Sequence, residues 1–275
     1  MLRIGWFATG RGEGSQKLLA SAVEAIRGGR LDAEIAFVFS NRERGQFPAT
    51  DEFFDQVTSY GLPLVTLSDA RFRREHNGEV ARKGQPLPAW RTEYDRQVVD
   101  LLDPIGCDLG MLAGYMLINT APLFSWRPLL NLHPAAPAGP AGTWQDVIWR
   151  LIEGRAEGSG VRIHLSTVVL DAGPIVTYCT FPLRGPTIDL LWRAVEQQDV
   201  TAIKESEGEA FPLFQEIRRR TSAREIPLVI ETLRAFGEGR LRLDGERIFA
   251  GGTKVVGGFD LTPEIEGALA KAVIA

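Results

Sequence analysis

The chain has 275 residues, 44% of them hydrophobic, and a net charge of −4. That length can bury a full core in one large domain or two tightly joined lobes, and the mild acidity lacks the basic footprint of a nucleic-acid binder. Only Cys107 and Cys179 are present, in no CxxC or Cys/His pattern, so neither a disulfide scaffold nor a metal site is expected.

In chain order, MLRIGWFATG opens on a short apolar run, read as a first strand over residues 2–8 and not as a secretion signal. SQKLLASAVEAIRGG (15–29) has helical spacing and a Gly stop, and AEIAFVFS (33–40) is a second strand, which makes a βαβ unit. DEFFDQVTSYG (51–61) predicts a helix, PLVTL a third strand, and WRTEYDRQVVDLLDPI (90–105) a third helix. The locally basic RFRREHNGEVARK (71–83) is expected to be an exposed insertion with His76 on the surface. CDLGMLAG and RPLLNLH supply the fourth and fifth strands. Helices alternating with continuous apolar strands predict an α/β fold, a mostly parallel twisted sheet with helices on both faces.

After Trp144 the pattern changes. WQDVIWRLIEG is a helix, and VRIHLSTVVLDAGPIVTYCTFPL (161–183) predicts an antiparallel hairpin turning at Asp171-Ala172-Gly173. The chain to about residue 238 is mainly helical. Its stretch EQQDVTAIKESEGEA is expected to be a solvated insertion, and EIRRRTSAR (216–224) a basic helix face. LRLDGERIF predicts a last small hairpin at its Asp-Gly. No run reaches the length of a membrane span, so a cytoplasmic protein with reduced thiols is expected.

Two places carry chemistry. TGRGEGSQ (9–16) joins the first strand to the first helix, where glycines let the backbone approach an anion and the first helical N–H groups bind it. The dinucleotide fingerprint needs GxGxxG and an acidic residue after the second strand; here the spacing is GxGxG and Asn41 is not acidic. Arg42 or Arg44 leaves an NADP reading open, a ligand-free Gly-rich connection is another, and a phosphorylated substrate is favoured. The second place is Asn131-Leu132-His133, whose outer members share a strand face at the carboxyl edge where α/β sheets put ligands. Asp171 is a turn residue or a catalytic one, and His164 a core histidine or a supporting one. Together Asn131, His133 and Asp171 suit direct acyl-type transfer. The amide stabilises negative charge on oxygen, the imidazole takes a proton from the attacking amine, and the carboxylate orients the imidazole.

At this point the chain resembles the folate-dependent formyltransferases, through Asn131-Leu132-His133-Pro134, through His164 leading to Leu170-Asp171-Ala172-Gly173-Pro174, and through Leu112-Ala113-Gly114-Tyr115-Met116 and Phe39-Ser40-Asn41. The matching features run from residue 1 to about 185 and resume over 226–241. The resemblance implies one formyltransferase domain over 1–275. It would comprise a phosphate-binding half (1–110), a folate-binding and catalytic half (111–186) and a mainly helical remainder (187–275). It implies Asn131, His133 and Asp171 as the catalytic set and His164 as their support. Gly12, Gly14, Ser15 and Gln16 would lie against a substrate phosphate, and Met116, Leu117, Asn119, Leu170 and Asp171 against the folate. The implied reaction takes a formyl group from 10-formyltetrahydrofolate to the amine of phosphoribosylglycinamide, in a monomer or homodimer without metal, nucleic acid or membrane. Gln16 stands where the family has Asn, Leu117 where it has Arg, Ser222 where it has a substrate-holding Glu, and AAPAGPAGTWQD replaces its usual loop. A sugar-nucleotide amine, methionyl-tRNA or water is therefore an alternative acceptor, and an inactive nucleotide- or folate-binding sensor is the alternative of another class.

Overall fold

The computed structural model describes residues 1–82 and 85–274. The chain divides into two compact units, one of residues 1–131, 165–173 and 234–240, the other of 132–164, 174–233 and 241–275.

The first unit runs β1 (Leu2–Phe7), α1 (Glu13–Arg27), β2 (Ala33–Ser40), α2 (Pro48–Ser59), β3 (Leu64–Thr66), α3 (Asp69–Glu75), α4 (Trp90–Leu102), β4 (Leu109–Leu112), α5 (Ala121–Trp126) and β5 (Leu129–His133), the last shared with the second unit. The strands pair in the order β3-β2-β1-β4-β5, all parallel, as the alternation of helix and strand predicts. The register aligns Val65, Phe39, Phe7, Leu112 and Asn131 in one row near the carboxyl edge. Side chains alternate across a strand, and Ile4, Trp6 and Phe7 are all fully buried, so both faces of β1 are covered. Gly5 is the space Phe37 needs, since a Cβ there would lie 2.5 Å from its ring. Phe7 meets Phe37, Phe39 and Tyr115 at ring-centre distances of 5.7, 5.7 and 5.9 Å. Helix α1 turns Leu18, Leu19, Ala22 and Val23 inward, and α2 starts on Pro48, which already has helical φ.

One expectation needs correcting here. The basic stretch from residue 71 is not simply an exposed insertion, because α3 occupies its start and Phe72 is buried against Tyr94 and Trp90. A single aromatic within a charged run shows no periodicity, so its anchoring is invisible until its neighbours are placed. His76 is exposed as expected and stacks on Phe72. Residues 83 and 84 of the expected insertion lie outside the described residues.

The second unit continues with α6 (Trp144–Glu153), β6 (Gly158–Leu165), β7 (Ile175–Pro182), α7 (Pro186–Gln197), α8 (Val200–Ser206), α9 (Pro212–Gly237), β8 (Leu241–Asp244), β9 (Arg247–Ala250), β10 (Thr253–Val255), β11 (Phe259–Asp260) and α10 (Thr262–Ile274), with the last residues of β6 and α9 counted in the first unit. Its core gathers Val147, Ile148 and Ile152 of α6, Trp192 of α7 and Phe214 and Ile217 of α9. Strands β6 and β7 are antiparallel and β11 joins β7 in parallel, while β8, β9 and β10 form a separate antiparallel sheet. The hairpin at Asp244 is found, with Gly245 at φ +59°.

Two further expectations change. Strands β6 and β7 are not joined by a tight turn at 171–173; pairing stops at His164 and Ile175, and residues 166–174 form a loop. The stretch 196–210 is not wholly solvated, because α8 forms within it behind an Asp199 cap and buries Ile203 completely. An isolated Ile among charges carries too little pattern to show which face turns inward.

Candidate active site

In the first unit, three strand ends are stitched together at Thr9. Its hydroxyl donates to Asn41 Oδ1 (2.7 Å) and accepts from the Met116 N–H (2.9 Å), its own N–H donates to the Gly114 carbonyl, and Asn41 Nδ2 donates to Asp69. Asn41 is thus occupied within the fold, as is Arg44, which pairs with Asp55 at 2.7 Å. Next in the loop, Gly10 has φ +68°, and a Cβ would sit 2.9 Å from the Phe53 ring, so only glycine fits. Around Gly12 and Gly14, by contrast, a Cβ would meet nothing within 4 Å. Gly12 is the residue before α1; its carbonyl accepts from the Ser15 and Gln16 N–H groups at 3.2 and 3.4 Å, which leaves those of Glu13 and Gly14 outside the helix's own bonds. Ser15 is buried with its hydroxyl beside Gly114, and the Gln16 carbonyl accepts from Gln56. Nearby, Arg42 is stacked on Phe47 and donates to Thr50; burial and the charge of Arg11 lower its pKa.

The segment after β4 is held from beneath. Asp95, fully buried on α4, accepts from the Thr120 N–H at 2.6 Å and its hydroxyl at 2.7 Å, and Arg91 donates to the Ile118 carbonyl at 3.0 Å. Burial raises the Asp95 pKa, against the opposing hydrogen bonds from Thr120 and the charge of Arg91. Asn119 is buried and donates to Ser166 Oγ at 3.1 Å, while its Oδ1 finds no partner among the described residues. Met116 is 56% exposed, Ile118 42%, and Leu117 half-buried.

Ser166 opens the loop that ends at Gly173. Val168, Val169 and Leu170 are exposed there, and Asp171 has φ +54°, a left-handed conformation that Asp tolerates better than most residues. A Cβ on Gly173 would run into the Leu165 carbonyl. Asn131, the middle residue of β5, donates from Nδ2 to Asp171 Oδ1 at 3.4 Å, so two of the expected catalytic residues meet across 40 positions.

The second unit holds both buried histidines. Their ring centres are 6.3 Å apart, and His133 Nε2 lies 3.1 Å from the Pro140 carbonyl. A carbonyl only accepts, so Nε2 carries the proton there. The loop that supplies this carbonyl is itself pinned. Arg162, buried, donates to the Ala136 and Pro137 carbonyls at 2.6 and 3.3 Å, and Arg150 to that of Ala141 at 2.9 Å. Thr143 closes a capping box with Asp146, a cap worth about 1 kcal/mol.

Reading the residues alone missed Arg91, Asp95, Thr120, Ser166 and Arg162. The available signal was the i,i+4 spacing of Arg91 and Asp95 beside Tyr94 and Val98, all of which face inward. Among the described residues no group of three or more His, Cys, Asp or Glu is placed to hold a metal ion.

Compared with known proteins, residues 3–203 match the profile of a family described as formyl transferase. Phosphoribosylglycinamide formyltransferase of Haemophilus influenzae is 26% identical over 251 residues, 88% of this chain and 91% of that one. Among solved structures, glycinamide ribonucleotide transformylase 1 from Symbiobacterium toebii aligns with TM-score 0.62 at 24% identity, over 91% of this chain and 94% of that one. A formyltetrahydrofolate deformylase from Pseudomonas syringae aligns at 0.59 with 17% identity, over 90% of this chain and 65% of that one.

Proposed function

The chain belongs to the formyl transferase family, and from that premise we propose that it transfers the formyl group of 10-formyltetrahydrofolate to the primary amine of phosphoribosylglycinamide, in de novo purine synthesis. The observation that carries the proposal is the hydrogen bond from Asn131 of β5 to Asp171. It orients a neutral amide donor, the group that formyl transfer needs where negative charge develops on the carbonyl oxygen.

The residues fit a folate. Met116, Ile118, Val169 and Leu170 offer exposed apolar surface to a flat ring, and the buried Asn119 Oδ1 is an acceptor awaiting a donor. Met116, Leu117, Asn119, Leu170 and Asp171 would hold it. When bound, the folate supplies a formyl group activated on nitrogen. The chain's own residues do the rest. Asn131 donates to the formyl oxygen, and Asp171 fixes the direction of that amide. The His133 imidazole, protonated at Nε2 against Pro140 with His164 packed beside it, takes or relays the proton that the attacking amine loses. The open backbone at Gly12 and Gly14 and the first N–H groups of α1, with Ser15 and Gln16, would take the substrate phosphate. Binding energy from the phosphate would position the amine against the formyl carbon. Both cysteines are buried free thiols, in keeping with a reducing compartment such as the cytoplasm, and no described helix is long and apolar enough to cross a membrane; the chain is proposed to act there as a monomer or homodimer.

The test is incubation of the purified protein with 10-formyltetrahydrofolate and phosphoribosylglycinamide, following tetrahydrofolate release and the mass of the ribotide. Formylated ribotide that disappears in Asn131→Ala is the expected result. Release that needs no ribotide would instead make the chain a hydrolase, and no turnover with either acceptor would overturn the proposal.

A further inference from the structure

Arg91 and Asp95 are 3% and 0% exposed, one turn apart on α4, with a shortest charged contact of 3.5 Å. That is a loose ion pair for so buried a place, and a buried pair of this kind is weak as a source of stability. Its better bonds go elsewhere. Asp95 Oδ2 takes both the N–H and the hydroxyl of Thr120, and Arg91 Nη2 takes the carbonyl of Ile118. The two charges therefore grip the backbone on either side of Asn119, and Asn119 in turn ties Ser166, which begins the loop carrying Asp171. Nothing in the sequence around 116–120 would fix this segment unaided, since it is neither helix nor strand and Met116 and Ile118 are exposed.

We propose that Arg91 and Asp95 are positioning residues for the folate, holding residues 116–120 in the conformation that presents Met116 and Asn119 to it. The inference rests on the folate reading of that segment. Charge-assisted hydrogen bonds are shorter and stronger than neutral ones, so a segment gripped by three of them loses little freedom when a ligand binds, and pre-organisation of this kind shows as affinity. Its signature is in the folate KM, with the chemical step and the ribotide left alone.

The experiment measures KM for folate and for ribotide, kcat, and binding of a 10-formyl-5,8-dideazafolate by tryptophan fluorescence. The proteins are wild type, Arg91→Met, and Arg91→Met/Asp95→Asn. The double variant removes both charges at similar volume and keeps an acceptor for Thr120, so it is the one expected to fold with a melting temperature near that of wild type. Expected is a folate KM and analogue Kd raised about tenfold in the double variant, with kcat and the ribotide KM within about threefold of wild type. A well-folded double variant with unchanged folate affinity would overturn the inference, as would equal losses in kcat and both KM values. A wild type that fails to bind the analogue would overturn the folate reading itself, which separates the two failures.

Discussion

Residues 116–120 and 166–173 contain the residues proposed to hold the folate, and they are built differently. The first is gripped by buried charges through bonds of 2.6, 2.7 and 3.0 Å. Beyond Ser166 the second includes long bonds, 3.3 Å from Ala172 N to Val169 O and 3.4 Å from Thr167 Oγ1 to Val169 O, and the bond from Asn131 to Asp171 is also 3.4 Å. Val168 at its centre is 84% exposed. On the proposed function, a wall that recognises a ring gains from being set in advance, whereas a loop that carries a reacting carboxylate is expected to tighten when the substrate arrives. Apo catalytic hydrogen bonds are commonly long for that reason.

This contrast can be broken most severely at Asn131. Replacing it with Ala removes a partner of Asp171 together with the proposed oxyanion donor, and kcat should fall by roughly 10²–10³ while the melting temperature stays near that of wild type. Steady-state kinetics beside a thermal melt would decide; a loss of stability matching the loss of rate would mean that Asn131 serves the fold. Gly173→Ala tests whether the loop's loose bonds still define one conformation. The added methyl meets the Leu165 carbonyl, the loop must move, and kcat should drop by about a hundredfold if Asp171 is displaced by an ångström. Unchanged kcat would show that the loop resets itself.

A smaller effect separates a rigid root from an open tip within the loop after β1. Gly10→Ala forces a methyl into a left-handed conformation against Phe53 and should lower stability by about 1–2 kcal/mol in denaturant titration. Gly12→Ala should leave stability within about 0.5 kcal/mol and raise the ribotide KM, because only a bound phosphate would meet its methyl. The smallest effect belongs to a control in the second unit. Hydrogen bonds from Arg219, then Arg220, opposed by partial burial, bring Glu216 down to about 2. Its contribution is therefore present above the ordinary carboxylate range and lost as pH falls through about 2. Glu216→Gln should cost under about 1 kcal/mol at neutral pH, because one partner is largely in solvent, and nothing below pH 2.

By itself the sequence determined the α/β order of the first unit, the placement of Asn131 and His133 two apart on one strand, the glycines before α1 and the family through motifs that local spacing preserves. These are legible because alternation, helical periodicity and turn residues act over a few positions. It also marked Asp171 while misjudging its surroundings, since Asp-Ala-Gly is equally the mark of a tight turn and of the left-handed residue in a nine-residue loop. What only the tertiary structure decided is which polar side chains are buried and what they hold. Arg91 and Asp95 look like a solvated i,i+4 pair until Tyr94 and Val98 fix that face of α4 inward, and Arg162 looks like any strand arginine until its guanidinium is found against the Ala136 carbonyl. The physical reason is that a charge inside a protein is set by partners distant in sequence. Leaving it unpaired is too costly, and no local pattern names the backbone carbonyl or N–H that will pair with it.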